Sequence, residues 1–177
     1  MNLNEEVELL KGVPIFAKLE PARLKLLAFT SERMNFGEGQ EVCHQGDPGD
    51  TMYVILGGVA DVLIDSDEGQ IAVAQMRKNN FFGEMAILLD VPRTATIKAR
   101  EPLSTLKVTK DAFYRLVAEI PEVAIEVMRA LAHRLQDTNI KLGEANNKLR
   151  EATTKDRDRV SADRAFHAGE RLTWKNK

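Results

Sequence analysis

The chain has 177 residues, a formal net charge of −2 and a single cysteine, Cys43. This length allows one ordinary domain plus an extension, and the balanced charge gives no general electrostatic case for binding nucleic acid. One cysteine excludes an internal disulfide and fits a reducing cytoplasm. Since the acidic N-terminus does not resemble a signal peptide and no window reaches transmembrane length, we expect a cytoplasmic protein without a membrane partner.

Residues 1–30 are predicted to form short N-terminal helices. Apolar residues recur there at helical spacing. Pro14 and Pro21 interrupt the pattern, and Pro21 suits the first turn of a helix.

Residues 31–108 are predicted to form a β-roll. Turn-forming runs such as FGEGQ, QGDPGD and DSDEGQ recur at intervals of roughly eight to twelve residues, which is typical of a sandwich or barrel. Gly57-Gly58 and Asp67-Glu68-Gly69 are predicted hairpin turns. The clearest strands are Tyr53–Leu56, Val59–Ile64 and Ile71–Met76. The β-rich part ends with Thr94–Lys98 and Leu103–Val108.

The segment Phe82–Thr96, FGEMAILLDVPRTAT, has the composition of an anion site with a hydroxyl acceptor. Gly83 allows a close backbone approach, and the short run of helix formers after it begins with unpaired amides that favour anions. Arg93 offers a planar charged fork for phosphate oxygens, whereas Glu84 suits a sugar hydroxyl. Each residue has an ordinary explanation when it is taken singly, so the prediction depends on their combination.

This segment resembles the phosphate-binding cassette of the cyclic-nucleotide-binding domain family. The matching residues are Phe82, Gly83, Glu84, Ala86, Pro92, Arg93, Thr94 and Ala95. The resemblance implies that Glu84 binds the ribose 2′-hydroxyl and that Arg93 pairs with the cyclic phosphate. The implied ligand-binding set is Gly83, Glu84, Met85, Ala86, Arg93, Thr94 and Ala95. Asp90 departs from the glycine that many members have, and its charge would weaken binding if it pointed inward.

The implied fold class is α+β. It is a β-roll, a double-stranded jelly-roll-like barrel, with short N-terminal helices, a cassette helix and a long C-terminal helix.

Residues 109–150 are predicted to form C-terminal helices with a heptad dimer seam. The first helix covers Lys110–Glu119, and the second begins at Pro121. The seam residues are Met128, Leu131, Leu135, Leu142 and Leu149. Four of them recur every seven residues, which favours a coiled-coil homodimer. The alternative is that the first half of this helix packs on the β-roll as an ordinary amphipathic helix.

Thr138 is polar on this seam. The surrounding segment resembles the dimerisation helix of catabolite activator protein-like sensory domains, in which a Thr-Ser pair contacts the adenine. Thr138 matches that pair, and Asn139 replaces its serine. A purely register-setting role for Thr138 is the alternative.

Residues 151–177 form a charged tail that we expect to be disordered. Phe166, Leu172 and Trp174 give it the alternative of docking on a partner. Residues 150–177 show no pattern for a three-helix DNA reader, so we expect no DNA binding from this chain.

The sequence therefore predicts a stand-alone cyclic-nucleotide receptor, in which ligand binding shifts the C-terminal helix and signals to an unknown protein partner. We favour cAMP over cGMP, although the Thr94 hydroxyl serves either base. The alternatives are the sensory part of a cAMP-dependent transcription regulator and the regulatory module of a channel. A phosphodiesterase is the least favoured, because we find no nucleophile–base pair and no metal ligand cluster; we expect no enzyme activity, no metal and no cofactor besides the nucleotide ligand.

Overall fold

A computed structural model of the chain describes the backbone of residues 3–173 and the side chains of residues 4–154. The chain divides into two compact units, Met1–Val127 and Met128–Lys177. The helices are α1 (Leu3–Lys11), α2 (Pro21–Thr30), α3 (Glu84–Leu89), α4 (Lys110–Glu119) and α5 (Pro121–Thr173), with a short 3-10 turn at Pro14–Phe16. The strands are β1 (Glu32–Phe36), β2 (Glu41–Cys43), β3 (Thr51–Gly57), β4 (Val59–Ser66), β5 (Gly69–Arg77), β6 (Phe81–Phe82), β7 (Thr96–Ala99) and β8 (Leu103–Thr109).

The strands form two antiparallel sheets of four strands each, which confirms the predicted β-roll. One sheet has the order β1-β8-β3-β6 and the other has the order β2-β7-β4-β5. Ile55 and Leu103 from the first sheet share one buried cluster with Ala60, Val62 and Ile97 from the second. Burial of aliphatic side chains between two sheets is the main force that holds such a roll together.

One predicted hairpin turn is correct and one is wrong. Ser66 pairs with Gly69 across the β4–β5 turn, as the run Asp67-Glu68-Gly69 predicts. Gly57-Gly58 is no hairpin turn, because β3 belongs to one sheet and β4 to the other. Two glycines between apolar runs mark a sharp change of direction, but only long-range pairing decides whether the second strand returns beside the first.

The N-terminal helices and the start of the C-terminal region match the predictions closely. Pro21 is the first residue of α2, and Leu10 and Leu24 are fully buried. The side chain of Thr109 accepts a hydrogen bond from the amide of Ala112, which caps α4 at its predicted beginning. Within the described residues 3–173, we find no helix that combines the length and the apolarity needed to cross a bilayer.

In the second unit, α5 presents a row of exposed apolar side chains. Met128, Leu135, Leu142 and Leu149 are between 60% and 66% exposed. Exposure of so many large apolar groups at one spacing is unusual for a surface that stays in water. The side chains of Phe166, Leu172 and Trp174, for which we considered docking on a partner, lie outside the described residues.

Candidate functional site

A sharp backbone turn places the beginning of α3 beside Arg93. Gly83, between β6 and α3, has a φ of 85°, which glycine adopts readily and other residues avoid. A β-carbon at this position would lie 2.6 Å from Nη1 of Arg93 and 2.8 Å from the carbonyl oxygen of Thr51. Glycine is therefore required here both by the backbone conformation and by the close approach of the arginine.

The side chain of Arg93 is held by β3. Its Nη1 donates to the carbonyl oxygen of Thr51 at 2.6 Å, and its Nη2 donates to the hydroxyl of Thr51 at 2.8 Å. Nη1 also lies 3.4 Å from the carbonyl oxygen of Gly83. The guanidinium carbon is 5.9 Å from the centroid of the Tyr53 ring, within the range of a cation–π interaction. Contacts within the protein therefore hold the guanidinium in position without a ligand.

The backbone of Arg93 is held by the loop that leads into β3. The amide of Arg93 donates to the carbonyl oxygen of Asp47, and the amide of Gly46 donates to the carbonyl oxygen of Arg93, each at 2.8 Å. This pair of hydrogen bonds joins two segments that are far apart in sequence. The position of Arg93 therefore depends on the folding of the β-roll, which brings these two segments together.

Arg93 is a buried cation with no counter-ion among the described side chains. Its exposed fraction is 6%, and its hydrogen bonds go to uncharged oxygens. Among the ion pairs formed by residues 4–154, none involves Arg93. Since arginine stays protonated and an unpaired buried charge is costly, this arrangement favours an anionic ligand.

Glu84 begins α3 and is 2% exposed. Glu84 and Arg93 are therefore buried groups of opposite charge at the two ends of a segment in which residues 88–92 are exposed. An anion could accept hydrogen bonds from Arg93, and a ligand hydroxyl could donate a hydrogen bond to Glu84.

Residues 33–119 of the chain match the model of the cyclic nucleotide-binding domain family. This segment belongs to that family. The chain is 36% identical over 115 residues to a cAMP-dependent protein kinase regulatory subunit from Blastocladiella emersonii, in an alignment that covers 64% of this chain and 28% of the relative. The chain therefore spans a little over a quarter of the length of that relative.

Solved structures share the architecture of this cyclic nucleotide-binding domain. The catabolite activator protein of Thermus thermophilus superposes with a TM-score of 0.65 at 26% identity, over 73% of this chain and 61% of that one. A regulatory subunit of a cAMP-independent protein kinase A from Trypanosoma brucei gives a TM-score of 0.65 at 22% identity, over 74% of this chain and 47% of that one. A catabolite activator protein and a subunit of a cAMP-independent kinase both share this fold. The fold alone therefore does not identify the ligand, and the residues of the site must do so.

The other residues of the predicted cyclic-nucleotide site differ in exposure. Ala86 is buried, whereas Met85 and Thr94 are exposed, and the Thr94 hydroxyl lies 3.8 Å from the Met85 sulfur. Ala95 is half-buried, and its carbonyl oxygen lies 4.0 Å from the sulfur of Cys43. The roles of these residues towards a ligand remain predictions.

Asp90, the departure from the family pattern, points into solvent. Its side chain is 87% exposed and lies 2.7 Å from Nζ of Lys110. The hydrogen bond from Lys110 lowers the pKa of Asp90, and the same bond raises the pKa of Lys110. Because the carboxylate faces a lysine at the surface, it does not point inward at Arg93.

Thr138 and Asn139, the predicted base-contacting residues, lie on α5 in the second unit. The hydroxyl of Thr138 donates to the carbonyl oxygen of Arg134 at 2.8 Å, a common use of a threonine hydroxyl within a helix. Leu131 is half-buried, whereas the other four seam residues are exposed. Both proposed roles of Thr138, at the base and in the register of the seam, remain open.

Thr51 is the residue of this domain that sequence reasoning missed. It lies 42 positions before Arg93 and carries no catalytic or charged group. Its only sequence signal is its place directly after the turn-rich run QGDPGD. Its contribution becomes visible only when β3 and the Arg93 segment come together.

Proposed function

We propose that this chain is a cyclic-nucleotide receptor that binds cAMP, with cGMP as the second candidate, and signals to a separate protein partner. Arg93 pairs with the cyclic phosphate and Glu84 accepts a hydrogen bond from the ribose 2′-hydroxyl. The backbone amides of Gly83, Met85, Ala86 and Ala95 complete the phosphate site. The observation that carries this proposal is the buried Arg93 guanidinium, which forms no ion pair among the described side chains.

The preference for cAMP rests on one indirect observation. The kinase regulatory subunit from Blastocladiella emersonii is named for cAMP. Thr94 is exposed beside Arg93, and its hydroxyl can donate to or accept from either purine. Titration with both cyclic nucleotides is therefore part of the test.

We propose further that α5 forms a homodimer through its exposed seam. The row Met128, Leu135, Leu142 and Leu149 repeats every seven residues, and Leu131 continues it on the alternate position. Burying these leucines against a second copy would remove apolar surface from water. A second copy is the natural occupant because an identical helix presents the same repeat in the same register.

The flanks of the seam favour a parallel arrangement of the two helices. Arg134, Lys141 and Lys148 lie on one flank, directly before the leucines, while Asn139 and Asn146 lie on the other. A parallel pair places Arg134 and Lys141 opposite Asn139 and Asn146 of the second copy, and Lys148 opposite Thr153. An antiparallel pair would place cations opposite cations, so charge repulsion selects against it.

The nature of the partner separates this proposal from its alternatives. Relationship to kinase regulatory subunits makes a protein kinase one candidate partner. The sensory part of a transcription regulator and a channel module share the same ligand site and differ only in what they control. A phosphodiesterase is distinguished directly, because incubation with cAMP would then yield the linear nucleotide.

Calorimetric titration with cAMP and cGMP tests the ligand site. We expect the unmodified chain to bind at least one of them and Arg93→Ala to lose about 100-fold or more in affinity, since two charge-assisted hydrogen bonds are removed. Arg93→Lys should fall between the two, because it keeps the charge and loses the planar fork.

Arg100→Ala is the matched control for charge. Arg100 is exposed and pairs with Asp61 at 3.4 Å, so its removal should change the affinity less than twofold. Thermal melts of all variants must show a cooperative transition, to exclude loss of the fold. Equal affinity of the unmodified chain and Arg93→Ala would refute the site.

A further inference from the structure

The guanidinium of Arg93 has two edges, and the structure shows which of them is occupied. A guanidinium has five N–H donors. Nη1 and Nη2 together form its end, and both donate to Thr51, one to the carbonyl oxygen and one to the hydroxyl. The remaining N–H of Nη1 lies towards the carbonyl oxygen of Gly83. Two parallel donors are left, one on Nε and one on Nη2, and they form the side edge.

Gly49 lies close to the base of the Arg93 guanidinium. A β-carbon on Gly49 would lie 3.2 Å from both Cδ and Nε of Arg93, and 2.4 Å from the β-carbon of Ala86. Any larger residue at position 49 would therefore crowd Cδ and Nε of Arg93. Among the described residues, the hydrogen bonds of this guanidinium come from Nη1 and Nη2, so the N–H of Nε and the second N–H of Nη2 are left for a ligand.

We infer that Thr51 is a positioning residue, whose hydroxyl commits the end of the Arg93 guanidinium and thereby directs its Nε–Nη2 edge at the phosphate of the ligand. This inference rests on the proposed function and extends it to a residue on β3, outside the segment Phe82–Thr96. Two parallel N–H donors match two phosphate oxygens in a bidentate pair. Because the guanidinium is already fixed in the free protein, ligand binding does not have to order the Arg93 side chain, and the entropic cost of binding is lower.

Thr51→Val and Thr51→Ser form a matched pair of variants. Valine keeps the branched shape and the backbone carbonyl of Thr51 but removes the hydroxyl, whereas serine keeps the hydroxyl. We expect Thr51→Val to lose about tenfold in affinity for cAMP and Thr51→Ser to stay within about threefold, because one hydrogen bond to a charged group is lost only in valine.

A second readout distinguishes positioning from general damage to the fold. The two phosphorothioate diastereomers of cAMP replace one exocyclic phosphate oxygen or the other with sulfur. A guanidinium that is fixed in direction should discriminate between them, and Thr51→Val should reduce that ratio of affinities while Thr51→Ser preserves it. A variant that only weakens the fold would lower both affinities by the same factor, and an unchanged ratio in Thr51→Val would overturn the inference.

A third measurement does not require a ligand. Nitrogen-15 spectra of the Arg93 side chain report rotation about the Cζ–Nη bonds, which hydrogen bonds at both Nη atoms slow down. We expect faster rotation in Thr51→Val than in the unmodified chain and in Thr51→Ser. Equal rotation rates in all three proteins would contradict the role of Thr51, whereas failure of the unmodified chain to bind either cyclic nucleotide would contradict the proposed function instead.

Discussion

The hydroxyl of Tyr114 on α4 donates a hydrogen bond to the backbone carbonyl of Ile87 on α3, at 2.9 Å. The ion pair between Lys110 and Asp90 joins the same two helices one turn earlier on α4. Through these two contacts, the helix that carries Glu84 is attached to the helix that directly precedes α5. A displacement of α3 on ligand binding would therefore either move α4 or break these contacts.

Tyr114→Phe tests the first of these contacts. It keeps the ring and removes the hydroxyl, so we expect the free energy of unfolding to fall by about 1 kcal/mol, the usual net contribution of one hydrogen bond. Urea denaturation measures this change.

Tyr53→Phe is the control, because the described residues offer the Tyr53 hydroxyl no hydrogen-bond partner while its ring stacks on Phe82. An equal loss of stability in both variants would show that the Tyr114–Ile87 bond contributes nothing of its own.

Glu84 provides a test of how the sugar is recognised. If its carboxylate accepts a hydrogen bond from the ribose 2′-hydroxyl, the unmodified chain should bind cAMP about tenfold or more tightly than 2′-deoxy-cAMP. Glu84→Ala should bind the two ligands with nearly equal affinity, because the acceptor is gone. Calorimetry of the four combinations measures this coupling.

Glu101→Ala, which changes an exposed glutamate in the turn before β8, should retain the full preference for cAMP. An unmodified chain that binds both ligands equally would exclude the assigned role of Glu84.

The sequence predicts correctly where several helices begin, because a helix beginning depends on residues that are close together in the chain. The beginnings of α4 and α5 at Lys110 and Pro121 are predicted at the residue, the second of them from its N-terminal proline. The short helix after Gly83 is predicted from its run of helix formers. These features require no knowledge of the sheets.

Features that depend on distant pairing could not be predicted in the same way. The sequence pattern predicts a hairpin turn at Gly57-Gly58, although β3 and β4 lie in different sheets. Thr51 was overlooked, because its hydroxyl becomes important only when the roll brings it to the guanidinium of Arg93. Similarly, the sequence left both directions open for Asp90, and its pairing with Lys110 decides that it faces solvent.

The proposed seam on α5 can be broken by charge. Leu135→Lys combined with Leu142→Lys would place four ammonium groups in one dimer interface, so we expect the particle mass to fall from twice 19.8 kDa to that of a single chain. Sedimentation equilibrium measures the mass.

Gln136→Lys combined with Asn147→Lys adds the same charge to exposed positions off the seam and should remain dimeric. A dimer that persists in the leucine double variant would show that these copies associate through another surface, and a monomeric unmodified chain would show that they do not associate.

Cys43 allows the electrostatics around Arg93 to be measured. Burial raises the pKa of the Cys43 thiol, and the nearby Arg93 guanidinium partly offsets this increase. We therefore expect the rate of alkylation by iodoacetamide to rise with pH at a higher midpoint in the folded chain than in the same chain in urea, and at a still higher midpoint in Arg93→Ala. Since the raised pKa belongs to the folded state, the contribution of this thiol to the stability should be constant below its unfolded pKa and should fall as the pH rises from there through the folded pKa. A folded midpoint at or below the value in urea would mean that Cys43 is not in the buried environment next to Arg93 that the structure describes.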